Sequence, residues 1–211
     1  MVRQNMDLTL YLVTDRHWLG ERTLWDSVEE AILGGVTIIQ LREKDISSRE
    51  YLELAQTVKT VTDKHDIPLI INDRIDIALA IDADGVHLGP DDLPIPIARK
   101  LLGDDKIIGC SVASVEEALS FQVQGADYLG VGAVFPTATK RGTEKVGLED
   151  LRGIKSAVHI PVVAIGGINA ENTKRVMETG VDGVAVVSAI MDQADIRKAA
   201  QRLLFLLKEA K

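Results

Sequence analysis

Cysteine is nearly missing: Cys110 is the only one in 211 residues. An internal disulfide is therefore excluded, and because Cys110 sits in an apolar strand pattern it reads as a small core side chain rather than a nucleophile. Long hydrophobic runs are missing too. No apolar stretch is long enough to cross a bilayer, and the opening residues, Met1 to Asp7, lack the apolar core of a secretory signal, so a cytoplasmic protein is expected. Positive charge is in short supply, with 24 Lys and Arg against 32 Asp and Glu and a formal net charge of −8. That balance excludes a general attraction to nucleic acid or to anionic membranes, so an anionic ligand must be held by a local cationic cluster. Small-molecule partners are expected, and the sequence leaves the oligomeric state open. Histidine is sparse as well. His17, His65 and His159 fall in predicted loops or helix ends, and His87 has no second histidine at ligand spacing, which argues against a transition-metal site. Trp18 and Trp25 read as packing residues. No linker, low-complexity segment or charge block divides the chain, so residues 1–211 are expected to form one domain.

What is present is a repeating pattern. With 46% hydrophobic and 27% charged residues the chain has the composition of a folded globular protein. Short apolar runs bounded by Gly, Pro or Asp alternate with amphipathic segments, as βα units around a parallel sheet require. Eight strands are predicted: Leu8 to Thr14, Val36 to Leu41, Pro68 to Ile71, Gly85 to Leu88, Ile107 to Ser111, Tyr128 to Val131, Val162 to Ile165 and Gly183 to Val187. Ser114 with Glu117 forms a capping box before a helix that stops at Gly125, and Asn169 opens a helix that stops at Gly180. The pattern fits a closed single-domain α/β fold, an eight-stranded parallel β/α (TIM) barrel, better than an open doubly wound sheet, which stays as the alternative.

In such a barrel chemistry belongs at the C-terminal ends of the strands. The polar residues cluster there. Gln40-Leu41-Arg42-Glu43-Lys44 ends the second strand, where alternation places Gln40, Arg42 and Lys44 on one face. Buried without partners these groups would cost roughly 1–3 kcal/mol each, so a ligand with several anionic oxygens is implied unless the strand ends at Leu41 and the rest is solvated. Asn72-Asp73 and Asp91-Asp92 follow neighbouring strands. Their carboxylates suit Mg²⁺, although capping of the next helices is the competing role for Asp73 and Asp92. The stretch Gly132 to Thr143 is long and polar for a βα connection; with hydroxyls at Thr137 and Thr139 and cations at Lys140 and Arg141 it reads as a phosphate-binding lid or as a plain solvated loop. Gly166-Gly167 and Val187-Ser188 end the last two strands, where barrels build phosphate sites, although a glycine pair also makes tight turns.

Read in order, Gln-Leu-Arg-Glu-Lys, Ile-Asn-Asp-Arg, Asp-Gly-Val-His-Leu-Gly, Phe-Pro-Thr-Ala-Thr-Lys and Ala-Ile-Gly-Gly-Ile-Asn resemble the thiamine-phosphate synthase family over nearly the whole chain. The resemblance implies a transferase of the same barrel fold. It would join a hydroxymethylpyrimidine diphosphate to a thiazole phosphate, carboxylated or not, and release pyrophosphate. Carried over, Gln40, Arg42, Lys44, Asn72, Ser111 and Lys140 would bind the pyrimidine diphosphate, and Asp73 and Asp92 would hold Mg²⁺. Thr137, Thr139, Gly167, Val187 and Ser188 would hold the thiazole phosphate, and Leu41, Glu43 and Ala138 would also bind substrate. Arg42, Lys44, Ser111 and Lys140 would be catalytic. Pro90 departs from the polar residue of many relatives. The alternatives implied are a thiazole tautomerase of the same fold and a non-catalytic phosphate-ligand binder; the set of cations and carboxylates favours the synthase.

Overall fold

The computed structural model describes residues 6–137 and 145–210. Among these, eight strands form a closed parallel barrel in sequential order: β1 (Leu10–Val13), β2 (Ile38–Leu41), β3 (Leu69–Asn72), β4 (Gly85–Leu88), β5 (Ile107–Val112), β6 (Tyr128–Val131), β7 (Val162–Ile165) and β8 (Gly183–Val186). The closed barrel, not the open sheet, is the architecture. Register closes the ring, since Leu12 pairs with Ile39 on one side and with Val186 on the other.

Helices follow the strands: α1 (Leu24–Leu33), α2 (Ser48–Lys64), α3 (Ile75–Ala80), α4 (Ile95–Leu102), α5 (Val115–Gln124), α6 (Leu148–Ala157), α7 (Thr173–Met177), α8 (Ser188–Met191) and α9 (Ile196–Glu209). Their ends obey local chemistry. Ser114 caps α5 by accepting from Glu117 N, the Glu117 carboxylate accepts from Ser114 N in return, and Gly125 ends the helix in the left-handed region at φ 97°. One helix start differs from expectation. Asn169 does not open α7; it opens the preceding turn, with its Oδ1 accepting from Glu171 N at 2.8 Å, and the helix begins at Thr173. An Asx turn competes with helix for the same backbone groups, and here it displaces the first turn.

Two side-chain layers line the strands because successive residues point to opposite faces. The outer layer, between strands and helices, is apolar and contains Ile39, Leu41, Leu69, Ile71, Val86, Cys110 and Leu129. Each fully buried aliphatic side chain in it contributes about 1.5–3 kcal/mol of transfer free energy. The inner layer is mixed. Leu8, Ile38, Ile70, Ile107 and Val163 pack with the rings of Tyr11 and Tyr128. Glycine makes room for those rings, since a Cβ on Gly109 would lie 2.0 Å from Tyr128 Cζ.

Candidate active site

A cleft opens inside the barrel and is lined by residues from every strand or strand end, among them Gln40, Arg42, Asn72, His87, Ser111, Tyr128, Thr137, Gly167, Val187 and Ser188. Eight of the sequence-predicted site residues therefore meet in one place: Gln40, Arg42, Asn72, Ser111, Thr137, Gly167, Val187 and Ser188. Strand alternation explains the first part of this set. Gln40, Asn72, His87 and Ser111 occupy inward positions near the C-terminal ends of β2, β3, β4 and β5.

The second strand needs a correction. It ends at Leu41; Arg42 still shares the cleft face with Gln40, as alternation predicts, but Lys44 does not. The chain bends only beyond Arg42, at residues 44–46. Arg42 N donates to Thr14 Oγ1 at 3.1 Å, and the Arg42 side chain lines the cleft while Lys44 leaves it to pair with Asp73. Leu41 is turned away altogether: its side chain is buried in the outer layer, and its carbonyl accepts from Tyr51 Oη at 2.8 Å. Glu43 is held by Arg16, whose Nε and guanidinium reach its carboxylate at 2.8 to 3.0 Å. A ligand contact from Leu41 can come only from its main chain.

Asp73 and Asp92 stand at the rim, and neither caps a helix. The first turns of α3 and α4 have no side-chain cap, with Arg74 and Pro94 at the cap positions. Asp92 Oδ2 accepts from Gly89 N at 2.7 Å across a tight turn that leaves Pro90 exposed. Asp73 sits at φ 62°, in the left-handed region that aspartate tolerates better than most residues. The two carboxyl groups are within hydrogen-bonding reach of each other, and their acidities diverge. Burial works against the charge on Asp73, but the Lys44 ammonium and the Asp92 carboxyl outweigh it and hold Asp73 below the usual range. At Asp92 burial raises the value, the Gly89 N–H opposes it, and the neighbouring Asp73 adds to the rise. As a donor set, two neighbouring carboxylates fit the preference of Mg²⁺, which takes one or two carboxylates and completes its shell with water and phosphate oxygens.

On the other side of the cleft, Gly166 and Gly167 serve the fold as much as the ligand space. At φ 103° and 61° they lie against the loop after β6, and a Cβ on Gly167 would meet Pro136 O at 2.5 Å. Gly166 O accepts from Phe135 N at 3.0 Å. Val187 and Ser188 lead into α8, whose first turn begins at the cleft. Ala138, Thr139, Lys140 and Arg141 lie outside the described residues.

Sequence reasoning missed part of the interior. Tyr11 and Tyr128 lie wholly inside the barrel with their hydroxyls 2.7 Å apart; Gln40 Nε2 donates to Tyr11 Oη at 2.8 Å, and His87 lies 2.9 Å from Tyr128 Oη through Nδ1 and 2.9 Å from Ser111 Oγ through Nε2. The available signal was position: both tyrosines fall on inward strand positions, and Tyr128 is paired with Gly109 on the neighbouring strand. Nearby, Asn72 Nδ2 is buried and has no hydrogen-bond partner among the described residues, a donor that a ligand acceptor would satisfy.

A family model described as "Thiamine monophosphate synthase" matches residues 10–190. A protein of Clostridium tetani named thiamine-phosphate synthase is 55% identical over 203 residues, covering 96% of this chain and 97% of that protein. Its counterpart in Clostridium acetobutylicum, with the same name, is 55% identical over 206 residues and covers 98% of each chain. Among solved structures, thiamine phosphate pyrophosphorylase from Pyrococcus furiosus superimposes with a TM-score of 0.89 at 47% identity, covering 100% of this chain and 99% of that one.

Proposed function

The chain belongs to the thiamine monophosphate synthase family, and from that premise we propose that it joins a hydroxymethylpyrimidine diphosphate to a thiazole phosphate, forming thiamine phosphate and releasing pyrophosphate. The observation that carries this reading is the meeting, at one barrel mouth, of the amides of Gln40 and Asn72, the hydroxyl of Ser111 and the cation of Arg42, beside a Lys44–Asp73–Asp92 rim. An amide-lined interior suits a flat heteroaromatic ring. A cationic rim suits a diphosphate.

Asp73 and Asp92 would hold Mg²⁺, which when bound neutralises charge on the diphosphate. Arg42 and Lys44 act on the same oxygens. Breaking the carbon–oxygen bond leaves negative charge on the departing diphosphate, and cations fixed at that position stabilise it more than they stabilise the intact substrate. Lys140, which follows β6 in the sequence, adds a third cation. Asn72 and Gln40 orient the pyrimidine, and no side chain is required as a nucleophile. The thiazole nitrogen attacks the exposed carbon, with the thiazole phosphate held by Thr137, Thr139, Gly167, Val187 and Ser188. A cleft closed over both substrates keeps water from the electron-poor carbon.

The test is direct. Purified protein is mixed with both phosphorylated substrates and Mg²⁺, thiamine phosphate is followed by mass spectrometry and pyrophosphate in parallel, with EDTA as control. Metal-dependent appearance of both products is expected. Neither product from folded protein would return the reading to a thiazole tautomerase or a phosphate-ligand binder.

A further inference from the structure

The buried polar chain inside the barrel has a direction. We propose that the amide of Gln40 sets the tautomer of His87 through Tyr11 and Tyr128, and thereby makes the Ser111 hydroxyl a hydrogen-bond donor to the ligand. Gln40, on this account, is a positioning residue for Ser111 from the far side of the barrel. The role of Ser111 toward the diphosphate rests on the function proposed above; the direction of the chain does not.

The argument is one of donors and acceptors. An amide nitrogen has no lone pair to offer, so Gln40 Nε2 can only donate to Tyr11 Oη, 2.8 Å away. Tyr11 then passes its own proton to Tyr128 Oη at 2.7 Å. Tyr128 passes its proton to His87 Nδ1 at 2.9 Å, which must therefore be the unprotonated nitrogen. The remaining imidazole proton sits on Nε2 and is donated to Ser111 Oγ at 2.9 Å. Ser111 accepts one bond from behind and is left with its own proton for the cleft it lines. Burial pushes the phenols of Tyr11 and Tyr128 upward, so both keep the protons they donate.

Space is reserved for this arrangement. Gly109 leaves the volume into which Tyr128 reaches, and a Cβ on Gly130 would lie 3.0 Å from His87 Cε1. Reversing the first link reverses every link. A carboxylate in place of the amide accepts from Tyr11, Tyr11 accepts from Tyr128, Tyr128 accepts from His87 Nδ1–H, and Ser111 must then spend its proton on Nε2. Side-chain networks of this kind transmit direction because each hydroxyl donates only once.

The experiment is ¹⁵N–¹H correlation of the imidazole rings in the full-length protein at pH 8, with His87 assigned by its loss in His87→Gln. The wild type should show the Nε2–H tautomer, Gln40→Glu should invert it to Nδ1–H, and Tyr11→Phe should leave a mixture of the two. In the Tyr11→Phe background, Gln40→Glu should no longer invert it. Turnover of Tyr11→Phe should fall about tenfold, with a smaller change in KM. An Nδ1–H tautomer in the wild type, or an Nε2–H tautomer unmoved by either single variant, overturns the proposal. If Gln40→Glu does not fold, the Tyr11→Phe spectrum decides alone. Absence of transferase activity with the expected tautomers would sink the proposed function and leave the chain intact.

Discussion

The outer and inner side-chain layers of the barrel share the same strands, yet they meet different demands. Ile39, Leu41, Leu69 and Ile71 face the helices and are fully buried among apolar neighbours. Gln40, Ile70 and Asn72 alternate with them and face inward, two of the three polar and buried. Apolar burial stabilises the fold; buried amides must first recover the cost of leaving water. The outer layer therefore carries stability, while the proposed function gives the upper inner layer the work of recognition, at some cost to stability.

The largest effect should come from the outer layer. Ile71→Ala removes a fully buried side chain and should cost about 2–5 kcal/mol, read by urea denaturation, while the protein that remains folded keeps its kcat. A fall in kcat at unchanged stability would break the division between the layers.

Asp92→Asn should do the reverse, lowering turnover about a hundredfold. Without metal, its thermal midpoint at pH 7 should equal or exceed that of the wild type. The sign follows from the acidities. Asp92 is raised in the folded state, so the stability it contributes is present below its unfolded pKa and lost as pH rises through its folded one. Asparagine can keep the bond from Gly89 N without that loss. Asp73 is lowered, so its contribution is present above its unfolded pKa and lost as pH falls through the folded one. The gap between variant and wild type should close at low pH, where both carboxyls are protonated. Mg²⁺ should raise the midpoint of the wild type and not of the variant.

The same division explains what could be read in the chain. β4, β6 and β7 match their predicted limits, because apolar runs closed by Gly, Pro or Asp mark the outer layer directly. Gln40, Asn72 and Ser111 stand out as polar residues where apolar ones belong, and they do meet in the cleft. Arg42 reached the same cleft as alternation predicts and Leu41 went to the other layer, but the bend at residues 44–46, which periodicity cannot foresee, takes Lys44 off that face to Asp73. Asn169 looked like a helix cap because the same side-chain bonds build both caps and turns. Tyr11 and Tyr128 were hidden for a different reason. A tyrosine in a strand looks like packing until its hydroxyl is found to have a partner across the barrel.

Tyr51 sharpens the comparison from an outer-layer position. It lies on α2, but its hydroxyl donates to Leu41 O at 2.8 Å and lies 3.4 Å from Asn72 O, tying together the ends of β2 and β3. Tyr51→Phe should cost about 1 kcal/mol in denaturation. Because these carbonyls precede Arg42 and Asp73, a rise in KM for the diphosphate substrate is expected alongside it.

The smallest effect should come from the closest pair in sequence. Cys110 and Ser111 are neighbours on β5, but Cys110 packs in the outer layer and Ser111 lines the cleft. Burial pushes the Cys110 thiol up to about 12, with the nearby Asp127 carboxylate adding to the rise, so at pH 8 it is almost entirely the unreactive thiol. A thiol reagent should label the protein only after denaturation. Cys110→Ala should leave turnover unchanged, whereas Ser111→Ala should lower it with little loss of stability. Inactivation by modification of native Cys110 would mean that the strand lets its two faces communicate, and the separation of stability from recognition would fail at the point where the layers are only one residue apart.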